Sequence, residues 1–245
     1  MNRMIEVEGI VLSCLEYKEK DGLIYFASPH GLQTIYARGI RSATSKNKRL
    51  CNPFSKVKLT LDHKEGRQMD VLIRGDLIAY YYEIQEDLLA QSICFVLRDC
   101  LSRVKMDGIC YTYLLACWQA FQSKSKDAYA YACLCLAHAL KLEGIEPFVQ
   151  GCIRCRSKKQ LETVSMKDGG FLCKECNHQY PAWQVDELKK FRGLFIVKPE
   201  VVDAFCSVYT YSLSDFLFLA KWYEHYEHLE LASIQFLRSI SKLDL

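Results

Sequence analysis

The chain of 245 residues is long enough for one large or two small domains with a full hydrophobic core. Half of it is hydrophobic and a quarter is charged, and no internal repeat or Pro-, Ser- or Gly-rich linker occurs, which excludes a disordered or low-complexity protein. The net charge of +3 is unevenly spread: residues 1–75 carry thirteen Lys/Arg against eight Asp/Glu, a net of +5, and the remainder nineteen against twenty-one, a net of −2.

The first eighty residues read as strands. Ile5, Val7, Gly9 and Val11 alternate with Glu6, Glu8 and Ile10, close to period two. Leu23 to Ala27 is short and apolar, Ser28-Pro29-His30-Gly31 is a turn, and Leu32 to Ala37 resumes a strand. Val57, Leu59 and Leu61 alternate with polar neighbours; after a turn at Glu65-Gly66, Met69, Val71 and Ile73 do the same. Five strands in so short a span would carry exposed edges unless they close, so a small barrel is expected.

Between the third and fourth strands lies a polar loop, residues 39–53. From Arg38 to Lys58 there are seven basic residues and no acid: Arg38, Arg41, Lys46, Lys48, Arg49, Lys56 and Lys58. Tyr36 and Phe54 flank the stretch, and Tyr25 and Phe26 lie nearby. Cations neutralise phosphates and aromatic rings stack on bases, so this is a candidate nucleic-acid surface. A solvated loop that only maintains solubility would have the same composition.

From Glu83 the period becomes helical. Ile84, Leu88, Leu89, Val96, Leu97, Cys100, Leu101 and Val104 mark one amphipathic helix, and Ile109–Gln122 and Asp127–Leu142 two more, the last ending at Gly144 and Pro147. Glu83, Glu86 and Asp87 complement the dipole at the first helix start. The Tyr80-Tyr81-Tyr82 run reads as packing between the two regions. Helical patterns return at Val185–Phe191, Pro199–Val208, Ser214–Tyr226, with Ser214 as N-cap, and Leu231–Ile240.

Inserted between these helices are two cysteine pairs, Cys152/Cys155 and Cys173/Cys176, with seventeen residues between the pairs. This is the spacing of a four-thiolate zinc site, with Asp168-Gly169 turning a hairpin that returns the second pair to the first. Four thiolates fill a tetrahedral shell, which makes the metal structural, whereas a catalytic zinc keeps an open position. Iron–sulfur ligation uses the same ligands, chance clustering among thirteen cysteines is a further alternative, and His178 could replace one thiolate. Metal binding would fold a segment too small for its own core. The remaining nine cysteines, mostly in apolar helical stretches, are unlike a secreted disulfide framework. Glu6 and Glu8 stand where a signal peptide would be apolar, and the apolar stretch Ala128–Leu140 is too short to span a bilayer. A cytoplasmic protein with no membrane partner is expected.

No glycine-rich phosphate loop, nucleophile elbow or HExxH occurs, so no catalytic residue is assigned and a non-enzymatic role is expected. The organisation is α+β: a five-stranded barrel over residues 1–80, a helical domain over 81–245, and a zinc module over 147–181 inserted in it.

This order of parts resembles the bacterial RecO family of recombination mediators. Gly9-Ile10-Val11-Leu12, Asp21-Gly22, Pro29-His30-Gly31 and Ala37-Arg38-Gly39-Ile40-Arg41 are similar to that family's barrel. Leu140-Lys141-Leu142-Glu143-Gly144-Ile145-Glu146-Pro147 resembles its approach to the metal, Asp168-Gly169-Gly170-Phe171-Leu172-Cys173 its second knuckle, and Leu229 to Leu237 its final helix. The resemblance implies an oligonucleotide-binding (OB) barrel, binding of single- and double-stranded DNA, annealing of complementary strands, and loading of RecA onto strands coated by single-stranded-DNA-binding protein (SSB), with RecR and often RecF. It implies nucleoid association during repair. It also implies that the acidic, apolar-ended SSB tail docks on the helical domain, with Lys189, Lys190 and Arg192 as candidate contacts. The competing readings are a zinc-containing DNA- or RNA-binding regulator without mediator activity, a nuclease carrying an accessory module, and an interaction scaffold. A nuclease would need a carboxylate cluster for metal ions, and none occurs at suitable spacing.

Overall fold

The computed structural model describes residues 2–242, which divide into two compact units, the first ending at Ser125 and the second beginning at Lys126. The change from strand to helix falls near residue 80 as expected, while the first three helices cluster with the barrel.

The first unit is built on β1 (Asn2–Tyr17), β2 (Asp21–Ser28), β3 (Gly31–Ala37), β4 (Ser55–Lys64) and β5 (Asp70–Tyr80), closed in the order β1-β2-β3-β5-β4. β1 has sixteen residues because it pairs twice, with β4 along residues 2–11 and with β2 along 10–17. Its register shifts between Val11 and Ser13, a bulge that bends the strand from one neighbour to the other. Gly9 sits where β1 crosses closely over β2: a Cβ there would stand 2.1 Å from the Ala27 carbonyl oxygen and 2.6 Å from the Phe26 ring. Closure is made by a short parallel pairing of Ile35 with Asp70 and Tyr36 with Val71. The period-two apolar set (Val11, Ile24, Phe26, Ile35, Val57, Leu59, Leu61) fills the interior.

One helical stretch predicted from Glu83 is two helices, α1 (Tyr82–Glu86) and α2 (Leu88–Leu101). Asp87 breaks the run: its backbone is extended, and its carboxylate accepts the Leu89 and Ala90 N–H groups at 2.9 and 3.0 Å. α3 (Gly108–Gln122) completes the unit. Phe54 joins helices to barrel, with its ring centroid 5.3 Å from Phe95 and 5.4 Å from Trp118, and Tyr81 meets Trp118 edge-on at 5.7 Å. Of the tyrosine run, Tyr81 thus packs barrel against helix within this unit, whereas Tyr82 is exposed.

The second unit surrounds α4 (Ala128–Leu142), which is buried on nearly every face by Ala, Cys and Leu side chains. α5 (Val185–Ile196) and α7 (Leu213–Glu227) pack against it; α6 (Val202–Val208), preceded by a 3-10 turn at Pro199–Val201, and α8 (Ala232–Ile240) complete the set. The N-cap of α7 is Ser212, not Ser214: Ser212 and Asp215 form the capping box, and the Ser212 N–H donates to Asp215 at 2.7 Å. Between α4 and α5 runs the hairpin β6 (Leu161–Ser165) and β7 (Gly170–Cys173). Trp222 Nε1–H donates to the Ile145 carbonyl at 2.9 Å, and Tyr226 O–H to that of Met166 at 2.7 Å, so α7 holds both the approach to the hairpin and its turn. Among the described residues no helix is long and apolar enough to cross a membrane.

Candidate nucleic-acid interface and metal centre

The cationic loop is pinned at its base, and midway along it the Asn47 Nδ2–H donates to the Ile73 carbonyl on β5 at 3.4 Å. Ile40 and Leu50 are buried in the barrel core, each burial contributing roughly 1.5–3 kcal/mol. The Gly39 N–H donates to Asp21 at 2.7 Å, Arg41 N–H to the Lys20 carbonyl at 3.0 Å, and Phe54 N–H to that of Val11 at 3.2 Å. A 3-10 turn at Lys48–Cys51 presents Lys48 and Arg49 outward while Leu50 points in.

The seven predicted cations are not equivalent. Lys56 is ion-paired with Glu8 at 2.6 Å and Lys58 with Glu6 at 2.7 Å, both acids on neighbouring β1. Arg41 pairs with Glu16, and Arg49 lies 3.8 Å from Asp76. Arg38, Lys46 and Lys48 are exposed and make no ion pair among the described residues. The aromatic prediction needs correction. Phe26 and Phe54 are fully buried and present no face to a base, because Phe26 fills the barrel and Phe54 joins barrel to helices.

Of the four predicted rings, Tyr25 and Tyr36 are half-buried, and Tyr36 is paired with a ring outside that set. Tyr17 and Tyr36 meet edge-to-face at 5.8 Å, with the Lys18 ammonium 5.3 and 5.9 Å from their centroids. Together with Arg67, Gln68, Met69 and Val71 they line a shallow pocket of ≈ 320 Å³. It is formed by the β1–β2 and β4–β5 connections, the loops through which OB barrels take oligonucleotides. Tyr36 O–H donates to Asp21; that bond, with the Gly39 N–H, holds the Asp21 carboxyl below its ordinary value of 3.8. Tyr17, Lys18 and Arg67 escaped the sequence reading because strand pairing alone brings them together.

The four cysteines converge. Their sulfurs all lie within 4.8 Å of one another, with Cys155 Sγ and Cys173 Sγ at 3.6 Å, and the edge of a tetrahedron with bonds of about 2.3 Å is about 3.8 Å. His178 is outside this group. Burial raises the Cys152 thiol, but the backbone N–H groups of Cys155, Cys173 and Arg154 lower it, leaving it at about 6. Cys176 moves the other way, pushed up to about 12 by burial first and then by its thiol neighbours, so cation binding must release protons. The cluster's own apolar core is small: Leu172 with the buried cysteines, flanked by Ile153, Leu161 and Tyr180.

Arg154, between the first two cysteines, is a positioning residue that the spacing did not reveal. Its Nε donates to Asp168 at 2.9 Å and its Nη1 to the Cys176 carbonyl at 2.9 Å, tying the first knuckle to the hairpin turn and the second knuckle. Asp168 accepts from Ser165 O–H at 2.5 Å; that bond first, and Arg154 second, hold its carboxyl below its usual value. Gly170 allows β7 to approach Phe148, whose carbonyl oxygen a Cβ would meet at 2.5 Å.

Of the three basic residues predicted on the helical unit, Lys190 is half-buried, paired with Asp215 at 2.7 Å and 4.9 Å from the Tyr211 ring centroid, so it faces inward. Lys189 pairs with Asp186 at 3.1 Å at the surface, and Arg192 is exposed. Lys189, Arg192 and Lys198 line an open groove of ≈ 570 Å³ together with Phe205 and the exposed Ile196, Val201 and Val208.

A closed barrel of OB topology, followed by helices that carry a four-cysteine cluster able to hold a metal, defines the class of protein. Residues 1–81 match the family model for the Recombination protein O N terminal and residues 85–183 that for the Recombination protein O C terminal. The chain is 26% identical over 176 residues to the DNA repair protein RecO of Syntrophomonas wolfei, covering 70% of this chain and 69% of the relative. It is 22% identical over 255 residues to RecO of Halalkalibacterium halodurans, covering 97% and 96%, and 22% identical over 183 residues to RecO of Bacillus subtilis, covering 73% and 71%. The chain belongs to the RecO family of DNA repair proteins.

Proposed function

We propose that the protein binds single- and double-stranded DNA through its barrel, anneals complementary strands, and with RecR, and in some settings RecF, helps load RecA onto SSB-coated single strands. The observation that carries this reading is the group of exposed cations that make no ion pair among the described residues, Arg38, Lys46 and Lys48, in and beside a loop anchored through Ile40 and Leu50. Bringing two polyanions together requires a cationic surface that lowers their repulsion and releases counterions. The Tyr17–Tyr36 pair beside Lys18 supplies a stacking face close to a cation.

The cysteine cluster takes zinc, and its role is structural. Cys152, Cys155, Cys173 and Cys176 complete the shell, and the ion supplies the folding energy that the small core around Leu172 does not. The groove lined by Lys189, Arg192 and Lys198 fits an acidic peptide with an apolar end, which is the chemistry of the SSB tail. Cytoplasmic action at the nucleoid follows from the same reading.

The test is RecA's DNA-dependent ATP hydrolysis on SSB-coated single strands. Addition of this protein with RecR should shorten the lag before hydrolysis. An unchanged lag, with both proteins bound to the DNA, would contradict the loading role.

A further inference from the structure

Outside the metal cluster, one thiol pair combines proximity with access. Cys14, on β1, and Cys51, at the end of the Lys48–Cys51 turn, are 37 residues apart in sequence, yet their sulfurs are 3.1 Å apart, with Cys14 donating its S–H to Cys51. Both side chains are half-buried. The Cys94–Cys117 pair, by contrast, is fully enclosed. The bond from Cys14 lowers the Cys51 thiol; burial opposes this, and Arg41 and Lys48 act in the same direction as the bond. The same bond, with burial, raises Cys14. One sulfur is therefore favoured as the nucleophile and the other as its proton-bearing partner.

We propose that Cys14 and Cys51 form an oxidisable dithiol that a peroxide converts to a disulfide, fastening the cationic loop to β1. The Cys51 thiolate attacks one oxygen of hydrogen peroxide; the O–O bond breaks, an S–O bond forms, and the departing hydroxide takes a proton to become water. The Cys14 sulfur then attacks Cys51 Sγ; the S–S bond forms, the S–O bond breaks, and a second water leaves with the remaining proton. Two thiols thereby give two electrons and two protons to one peroxide. Closing a contact of 3.1 Å to a covalent bond of about 2.0 Å needs only a small movement of the turn that carries Lys48 and Arg49. The bearing of this tether on DNA rests on the loop's proposed role; the disulfide and the tether do not.

The experiment exposes the full metal-loaded chain to graded hydrogen peroxide, quenches it with an alkylating reagent, and maps disulfides without reduction. Loop mobility is followed in parallel by trypsin cleavage after Lys46 and Lys48. The Cys14–Cys51 cross-link should form before any product at Cys94 or Cys117 and should reverse with a thiol reductant. Loop cleavage should slow severalfold in the parent, and in neither Cys14→Ser nor Cys51→Ser. Separate sulfinic acids at the two positions, thiols that remain alkylatable, or a cross-link that leaves cleavage unchanged would overturn the proposal.

Discussion

Replacing Arg38, Lys46 and Lys48 together with Ala should flatten the salt dependence of DNA binding. The structure singles out these three because Lys56 and Lys58 are ion-paired with Glu8 and Glu6 at 2.6 and 2.7 Å, Arg41 with Glu16, and Arg49 lies 3.8 Å from Asp76. A cation already neutralised by a neighbouring carboxylate releases few counterions when a phosphate arrives. For single strands each lost phosphate contact reduces the slope of log K against log salt by about 0.7, so the triple variant should be flatter by about 2. Between 50 and 200 mM salt, the parent's affinity should then fall roughly 20-fold further than the variant's. A fluorescently labelled oligonucleotide titrated by anisotropy across that range measures both slopes. The double variant Lys56→Ala/Lys58→Ala is the control and should leave the slope close to the parent's. A triple variant with the parent's slope, or a double variant that flattens as much, would refute the assignment.

Three further outcomes follow from the geometry. The chain should hold one zinc ion, and Cys173→Ser should lose it together with several kcal/mol of folding stability, read by metal analysis and thermal melting; a metal-free variant melting with the parent would contradict a structural role. Gly9→Ala places a methyl group 2.1 Å from the Ala27 carbonyl oxygen and should cost about 1–3 kcal/mol or more, measured by urea unfolding; parental stability would show that β1 and β2 are not so close. Asp21 has a depressed folded-state pKa, caused first by the Tyr36 hydroxyl and then by the Gly39 N–H, so its stabilising contribution is present above the ordinary value of 3.8 and lost as pH falls through the folded-state value. Asp21→Asn should therefore lower the melting temperature at pH 7 and reduce its fall in acid, and an unaltered acid profile would count against this bond.

Features set by local periodicity were readable in the chain. Alternation at Ile5–Val11 and Val57–Leu61 follows directly from one buried and one exposed strand face, and the paired CxxC spacing fixed the thiolate cluster together with its Asp168-Gly169 turn. What failed to show depended on long-range register. Glu8 lies opposite Lys58, so Glu6 and Glu8 reach Lys58 and Lys56 diagonally, and no count of charges along the chain reveals that neutralisation. Phe54 beside a basic stretch looked accessible, but the fold uses it against Phe95 and Trp118. Tyr17 and Tyr36 are nineteen positions apart and meet only because β1, β2 and β3 are consecutive neighbours. Asp87 stopped a helix that the apolar pattern carried through it, since capping two N–H groups outweighs continuity of the stripe.

The most direct measurement compares annealing of complementary DNA strands, both already coated with SSB, by the parent protein and by the Arg38→Ala/Lys46→Ala/Lys48→Ala variant. The parent should accelerate annealing well above the rate without protein, and the variant, folded and metal-loaded, should lose most of that acceleration. A parent that binds the coated strands without speeding their pairing, or a variant that anneals as fast as the parent, would contradict the assignment of the barrel's cationic loop as the surface that brings strands together.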